Sequence, residues 1–316
     1  MRKTKKISQT HSKLYFLILI IFPLVFGSCR LFDKDIRQDK HIVSFKHQMG
    51  RVADSLDTPT ERINALKTIL ENIEADEDLI TPRKKNKLLI EANFYLSNEY
   101  FNVKNYKKAI ECTNIAIGLD TTDATGYYNR GSIYQSIGDD SLAMRDYTQA
   151  IRLNNNYADA YYNRGIIYEV GGECEKALED YNRAIKEEPK NVADIYNNRG
   201  NIYFSMKDTS KALSDYSRVL EIDTANINAY TNRAEIYILR QEFDNALDDC
   251  NKGLILDPEN IRLYYKRAAI YERKNEYDEA IADYEKVLDL DRHDLYKARI
   301  KTKESIRKLK TLARKR

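Results

Sequence analysis

The chain of 316 residues is 42% hydrophobic and 32% charged, with 24 tyrosines and no tryptophan. Its formal net charge of +3 hides an uneven distribution, since residues 29–294 sum to −11 and residues 295–316 to +9. The sequence has no glycine-rich phosphate loop, no nucleophile elbow and no pair of histidines at helical spacing, so we expect no enzyme activity, no cofactor and no metal site.

The first 28 residues have the pattern of a targeting segment. Five basic residues precede the apolar run 14–26, and Gly27 and Ser28 follow it. A basic start, a short apolar core and small residues before the cleavage point are typical of a secretory signal. The apolar run has 13 residues, fewer than the roughly 20 that a spanning helix needs.

Gly27 and Ser28 stand immediately before Cys29, and this end of the segment resembles a bacterial lipoprotein signal. The resemblance implies that Cys29 becomes the lipidated first residue of the mature protein. Arg30 occupies the place where an Asp would imply retention in the inner membrane, so we expect an outer-membrane lipoprotein of a bacterial cell envelope. An uncleaved anchor and ordinary cleavage are the alternatives, and both the periplasmic and the surface-facing orientation stay open.

Two helices are predicted after a polar tether at 29–40. Apolar residues recur at spacings of three and four, first at Ile42, Phe45, Met49, Val52 and Leu56, then at Ile63, Leu66, Leu70 and Ile73. This periodicity is typical of amphipathic helices. We predict a helical hairpin within 41–89 that covers the first repeat, as the terminal units of a repeat array must do.

The middle of the chain repeats itself every 34 residues, once every 35. We number each repeat from position 1 at Ala124, Ala158, Ala193, Ile227 and Ile261. Tyr then recurs at positions 4 and 11, Gly or Ala at position 8, and Ala at position 20. These spacings place the small and the large residues on single helix faces, so that two helices can approach closely.

This pattern resembles the tetratricopeptide repeat, with tyrosine in place of that family's Trp and Phe. The resemblance implies an all-α, right-handed α-solenoid of about six helix pairs, including a degenerate first pair from Ile90. Pro189 and Pro258, at position 32, are expected to stop second helices. We divide the chain into the signal 1–28, the tether 29–40, the cap 41–89, the repeats 90–123, 124–157, 158–192, 193–226, 227–260 and 261–294, and a basic C-terminal helix 295–316.

One departure from the family pattern recurs in five repeats. Position 7, a Leu in the family, is Arg, and position 23 is Asp, whereas the degenerate repeat has Leu96 and Cys112 at these two places. Because both charges disappear together, we predict an Arg–Asp ion pair between the two helices of each repeat. The alternative is that these arginines bind a ligand.

The remaining cysteines and the tail have structural interpretations. Cys112, Cys174 and Cys250 are odd in number and have no motif spacing, so no disulfide framework is predicted. Cys250 is predicted to fill a buried apolar site. In the tail, Leu295, Ala298, Ile306, Leu309 and Leu312 are available to cover the last repeat. Its basic residues could attract anionic groups, but nothing accompanies them that would stack bases, and no nucleic acid is expected.

In the family, side chains at positions 2, 5, 9 and 12 of the first helix line a concave surface, which we call the groove face. Here the groove face contains Tyr128, Tyr162 and Tyr265 at position 5, beside amides such as Asn197 and Asn201. Aromatic faces next to amides suit an extended peptide. The alternative is that some of these tyrosines only pack between repeats.

A second resemblance concerns repeats that clamp the carboxylate at a peptide's C-terminus. The corresponding series here is Asn197, Asn201, Asn232, Arg262 and Lys266, with Asn197 in place of a lysine. Two cations and amide donors suit a carboxylate, because charge-assisted hydrogen bonds are the strong ones.

Together these features predict a lipid-anchored envelope scaffold that binds a peptide or protein partner on its groove face. The membrane would be contacted through Cys29. The alternatives are a self-assembling structural envelope protein and a regulatory subunit of a partner cell-wall hydrolase.

Overall fold

The computed structural model describes residues 29–76, 81–187, 189–291 and 296–314. The predicted signal 1–28 and the side chain of Cys29 lie outside the described residues. The described part is built of α-helices without strands, which confirms the predicted fold class. It divides into two compact units, residues 1–153 and residues 154–316. None of the described helices combines the length and apolarity needed to cross a bilayer.

The first unit contains a helical hairpin followed by two helix pairs. Its helices are α1 Cys29–Ser55, α2 Pro59–Ala75, α3 Pro82–Asn102, α4 Tyr106–Leu119, α5 Ala124–Ser136 and α6 Asp140–Leu153. Helix α1 includes the segment 29–40 predicted as a tether. Helices α1 and α2 pack against each other and against α3.

The hairpin buries the apolar residues that its sequence periodicity predicts. Phe45 and Met49 of α1 pack with Leu66 and Ile73 of α2 and with Leu88 of α3 in one core cluster. Helix α2 begins at a capping box in which the Thr58 hydroxyl accepts from the Glu61 amide at 3.3 Å and the Glu61 carboxylate accepts from the Thr58 amide at 3.1 Å. Such reciprocal caps satisfy amides that would otherwise lack partners.

The second unit contains four helix pairs and a final helix. Its helices are α7 Ala158–Val170, α8 Cys174–Lys186, α9 Val192–Ser205, α10 Thr209–Ile222, α11 Ile227–Leu239, α12 Phe243–Leu256, α13 Ile261–Lys274, α14 Tyr277–Leu290 and α15 Tyr296–Ala313. Each pair packs on the next pair along the chain. Helices α8 and α12 end before Pro189 and Pro258, as the positions of these prolines predict.

The turn between the two helices of every repeat has the same backbone geometry. Position 15 has a positive φ in all six repeats, with values from 59° to 83°, at Lys104, Gly138, Gly172, Lys207, Gln241 and Asn275. The amide that follows each of these residues donates to the carbonyl of the tyrosine at position 11, for example Asp139 to Tyr134 at 2.9 Å. This bonding is that of a Schellman motif, which ends one helix and redirects the chain into the next.

The final helix α15 covers the end of the second unit. Ile306 and Leu309 are buried against Ile281 and Tyr284 of α14, and Leu312 packs at the edge of the same cluster. These contacts agree with the predicted role of the tail, whose residues Leu295 and Ala298 have side chains outside the described residues.

Candidate functional site: the groove face and its supports

The predicted Arg–Asp pairs are present in all five repeats. In each repeat, Nε and Nη2 of the guanidinium donate to the two carboxylate oxygens of the aspartate, at distances between 2.6 and 2.9 Å. The five pairs are Arg130–Asp146, Arg164–Asp180, Arg199–Asp215, Arg233–Asp249 and Arg267–Asp283. The aspartates are buried, with exposed fractions from 0% to 6%. Two parallel charge-assisted bonds fix both the position and the orientation of the arginine.

Each arginine also contacts tyrosines and, in most repeats, the preceding repeat. The guanidinium carbon of Arg199 lies 5.2 Å from the ring centre of Tyr196 and 5.8 Å from that of Tyr203, at positions 4 and 11. Its third donor, Nη1, bonds the Asn182 side chain of the preceding repeat at 2.6 Å. These contacts assign the arginines to helix packing rather than to a ligand.

The tyrosine at position 24 is the largest buried side chain of a repeat. Tyr147, Tyr181 and Tyr216 are at most 1% exposed, and each packs against the glycine at position 8 of its own repeat. A Cβ added to Gly165 would lie 2.6 Å from Cε1 of Tyr181. Where Cys250 replaces this tyrosine, position 8 is Ala234, and the predicted burial of Cys250 is confirmed. Burial raises the pKa of the Cys250 thiol to about 12.

The hydroxyl groups of these buried tyrosines reach the groove face. Tyr147 donates to Gln135 Oε1 at 2.7 Å, and Tyr216 donates to Asn201 Oδ1 at 2.8 Å. The acceptors stand at positions 12 and 9. Sequence reasoning missed these links, although the column of tyrosines at position 24 was visible. They connect the core of a repeat directly to the side chains that a ligand would meet.

In the first unit the structure places Tyr128 beside an open cavity. The cavity has a volume of about 530 Å³ and is lined by Phe94, Tyr95, Phe101 and Tyr128, with the polar Asn98 and Ser132 among them. The ring of Tyr128 packs on that of Tyr147, with the centres 5.9 Å apart. Tyr128 therefore combines a packing role with a position on an accessible surface.

In the second unit, Tyr162 and Asn197 lie on two successive repeats. Tyr162 is half-buried; its ring centre is 5.9 Å from that of Tyr181, and its hydroxyl accepts from Nδ2 of Asn198 at 3.3 Å. Burial raises the pKa of the Tyr162 phenol above its ordinary value. The side-chain oxygen of Asn197 is buried and has no hydrogen-bond partner within the described residues.

The structure joins the two amides of the predicted carboxylate clamp to each other. Nδ2 of Asn232 donates to Oδ1 of Asn201 at 3.1 Å, and the same oxygen accepts from Tyr216. The donor groups of the Asn201 amide are not used in these bonds, because both contacts involve its oxygen. An amide held in this way presents its N–H groups to a ligand in a defined direction.

The two cations of the predicted carboxylate clamp, Arg262 and Lys266, differ in their surroundings. Lys266 forms an ion pair with Glu235 across neighbouring repeats, so its charge is already compensated. Arg262 is exposed. Tyr265, between them in sequence, packs edge-on against Tyr284 with the ring centres 5.6 Å apart.

Arg262, Tyr265 and Lys266 line a second and larger cavity. Its volume is about 1150 Å³, and helices α11, α13, α14 and α15 contribute to its wall. Helix α15 supplies Arg299, Lys301, Thr302 and Ser305. Sequence reasoning gave this helix only a covering role, because no pattern in the tail indicates which of its polar residues face the last repeat.

In the ranges that the structure describes, no group of three or more His, Cys, Asp or Glu side chains converges as metal ligands would. Cys112, Cys174 and Cys250 are free thiols.

Comparison with known proteins identifies the repeat. The tetratricopeptide repeat family model matches residues 158–191, 193–224, 227–260 and 261–294, and a second repeat model of the same family matches residues 133–170. Together these matches cover about half of the chain. The class defined by the helix pairs is therefore that of repeat proteins that present extended binding surfaces. The chain belongs to the tetratricopeptide repeat family.

Three solved structures show the same fold at low sequence identity. YrrB, described as a TPR protein with an unusual peptide-binding site, has a TM-score of 0.55 at 21% identity and covers 62% of this chain and 99% of its own. Pseudomonas aeruginosa PilF has a TM-score of 0.60 at 17% identity and covers 69% of this chain and 97% of its own.

The third structure is the C-terminal part of a TPR repeat-containing protein from Cytophaga hutchinsonii. It has a TM-score of 0.62 at 17% identity and covers 84% of this chain and 99% of its own. Among curated proteins the search found no match.

Proposed function

We propose that this protein is a lipid-anchored scaffold of a bacterial cell envelope that binds a peptide or protein partner on its groove face. Membership of the tetratricopeptide repeat family supports the binding of a peptide or protein partner, since these repeats are interaction modules. The anchor and the location rest on the sequence of residues 1–29.

The observation that carries the proposal is the cavity of about 1150 Å³ on the groove face of the second unit. Arg262, Tyr265 and Lys266 line it, so three of the predicted contact residues share one accessible hollow. Its volume is slightly larger than that of small-molecule pockets, which span about 300–1000 Å³, and suits a segment of peptide. YrrB, a protein of similar fold, is described as having a peptide-binding site, which supports a peptide as the ligand of this chain.

Photocrosslinking in living cells tests the partner. p-Benzoylphenylalanine is placed at Tyr162 and, separately, at Tyr265, because an aromatic ring is retained at both sites. The matched control is Ile255, which is 79% exposed on the second helix of its repeat. We expect both groove-face probes to capture the same protein, identified by mass spectrometry, and the Ile255 probe not to capture it. Capture of a defined partner only through Ile255 would contradict the assignment of the binding face.

The lipid anchor is tested separately. Cells grown with an alkyne-tagged palmitate should label the wild-type protein and leave the Cys29→Ser variant unlabelled, because the thiol of Cys29 is the proposed attachment point. The mature wild-type chain should lack residues 1–28 by mass spectrometry and stay with the outer-membrane fraction. Retention of residues 1–28, or equal labelling of both proteins, would exclude a lipoprotein.

A further inference from the structure

We infer that the cavity between the last repeat and helix α15 binds an acidic peptide segment that carries an apolar side chain. This inference rests on the proposed function and adds the chemistry of the partner. We call the cavity the terminal pocket and define it by Arg262, Tyr265, Arg273, Val287 and Lys301, which lie on α13, α14 and α15.

The charges around the terminal pocket are unbalanced. Five cations line it, at Arg262, Lys266, Arg273, Arg299 and Lys301, against the carboxylates of Glu235, Glu272 and Asp291. Lys266 is paired with Glu235, and Arg299 donates to the backbone carbonyl of Asp291 at 3.2 Å. The Glu272 carboxylate is also engaged, by Lys308 at 3.1 Å.

Five cations against three carboxylates give the lining an excess of two positive charges. Arg262, Arg273 and Lys301 are exposed, and none has an ion-pair partner among the described residues. They come from two helices, α13 and α15, that are brought to one hollow only by the fold. An anionic ligand would therefore meet cations that are free to form charge-assisted bonds, which are stronger than neutral ones.

The terminal pocket also has an apolar lining. Ile238 and Val287 are buried, Ala269 is half-buried, and the half-buried ring of Tyr265 lies among them. A purely anionic ligand such as a phosphate would leave this apolar surface in water, whereas an apolar side chain would cover it. Acidic side chains flanking an apolar one match both parts of the lining.

Internal acidic side chains fit this charge arrangement better than a terminal carboxylate. The pairing of Lys266 with Glu235 occupies one of the two cations of the predicted clamp. The free cations are instead spread over the two helices, as several separate carboxylates would require. Blocking the C-terminus of the peptide should therefore leave its affinity unchanged within about twofold.

Fluorescence anisotropy with the full-length protein in detergent tests the inference. The probe is a short fluorescein-labelled peptide with both ends blocked, in which glutamates surround a central leucine and phenylalanine. Control peptides replace the glutamates by lysines, or the two apolar residues by serines. We expect the acidic apolar peptide to bind at least about tenfold more tightly than either control.

Two charge-reversal variants of equal net charge provide the matched comparison. The first combines Arg262→Glu, Arg273→Glu and Lys301→Glu, which removes the free cations of the terminal pocket. The second combines Lys303→Glu, Arg307→Glu and Arg314→Glu, exposed residues on and just after α15 that do not line the pocket. We expect the first variant to bind at least about tenfold more weakly and the second to match wild type within about twofold.

Three results would overturn the inference. An equal loss of peptide affinity in both variants would mean that the net charge of the protein, and not the terminal pocket, attracts the peptide. The basic tail would then attract any anionic surface, including an anionic lipid membrane. Much tighter binding of a peptide with a free C-terminus would assign the pocket to a terminal carboxylate. No measurable binding by a wild-type protein that still yields a crosslinked partner at Tyr162 would refute the acidic chemistry and leave the proposed function intact.

Unchanged helical circular dichroism in both variants excludes misfolding, and a milder variant, Arg273→Gln with Lys301→Gln, repeats the comparison.

Discussion

At the scale of single residues, the guanidinium at position 7 connects more of the repeat than any other group. In the second helix pair of the second unit, α9 and α10, Arg199 bonds Asp215 twice, lies between the rings of Tyr196 and Tyr203, and reaches Asn182 of the preceding repeat. The leucine usual in the family could fill space here, but it could not bond two helices at once. The faces of the tyrosines at positions 4 and 11 attract the guanidinium and help to hold it in place.

Removing the acidic half of this pair should be strongly destabilising. We expect Asp215→Ala to lower the free energy of unfolding by about 3–5 kcal/mol, because it leaves the charge of Arg199 partly buried without its partner. The side chain of Asp215 is 5% exposed and that of Arg199 is 17% exposed. Urea unfolding followed by far-UV circular dichroism measures the change.

Two further variants separate burial of charge from loss of contacts. Arg199→Leu with Asp215→Cys reproduces the Leu96 and Cys112 of the first repeat, and it should unfold at a higher urea concentration than Asp215→Ala. Asp248→Ala removes the exposed ion pair with Lys252 and should cost less than about 1 kcal/mol. If Asp215→Ala and Asp248→Ala cost the same, the buried pairs do not carry the stability assigned to them.

The buried tyrosines should make the fold sensitive to alkaline pH. Burial raises the pKa of Tyr181, Tyr216 and Tyr284 above the ordinary value, with smaller contributions from nearby carboxylates. Above pH of about 10 the unfolded chain loses these protons and the folded chain keeps them. Stability is therefore complete below pH 10 and falls as pH rises, by about 1.4 kcal/mol per pH unit for each tyrosine.

This pH dependence is measured by urea unfolding between pH 9 and about 11.5. The three tyrosines together should give a decline of about 4 kcal/mol per pH unit once the unfolded chain is ionised. Tyr181→Phe has no proton to lose at that position and should reduce the slope by about a third. An unchanged slope in this variant would mean that lysine ion pairs, not tyrosines, cause the decline.

At the scale of helices, the sequence predicted the elements better than their ends. Apolar spacing located both helices of the hairpin, and the columns of small residues located the pairs. The beginning of α1 at Cys29 was not predicted, because the three apolar residues Leu31, Phe32 and Ile36 stand among many charged ones, a composition that indicates a polar tether. The turn at position 15 was not visible either, since lysine and glutamine adopt the positive φ there as well as glycine.

Helix α15 should stabilise the last repeat through a single buried leucine. Leu309 is 0% exposed and packs with Ile306 on Ile281 and Tyr284. We expect Leu309→Ala to cost about 2–5 kcal/mol, through lost burial and the cavity left behind. Because each repeat contacts only its neighbours, hydrogen exchange should accelerate in α14 and leave α9 unchanged.

The matched control for this helix is Ile300→Ala. Ile300 lies on α15 but is 40% exposed, so its truncation should change the stability by less than about 1 kcal/mol. Faster exchange spread evenly over the second unit after Leu309→Ala would contradict a local capping role.

At the scale of the whole molecule, the candidate site could be predicted only in part. Repeat numbering placed Arg262, Tyr265 and Lys266 on one face, and they do share a cavity. The Glu235 that neutralises Lys266 could not be predicted, because the family pattern does not specify which side chain of the neighbouring repeat pairs with it. The contribution of Lys301 required the packing of α15, which depends on tertiary contacts and not on any motif.

The charge distribution bears on whether the chain assembles with itself. Residues 29–294 sum to −11 and residues 295–316 to +9, so the tail of one molecule can attract the body of another. Such a head-to-tail contact would not close on itself unless its geometry forms a ring. An association driven by these charges weakens with salt, because charges further apart than about 8 Å are screened at physiological ionic strength.

We therefore expect the chain from residue 30, made without its lipid, to be a monomer in about 0.15 M salt. Multi-angle light scattering over a hundredfold range of concentration measures the mass, and the same series at about 0.02 M salt reveals any charge-driven association. Oligomers that persist at about 0.5 M salt would instead favour a self-assembling structural protein, since screening at that salt concentration removes the attraction between tail and body.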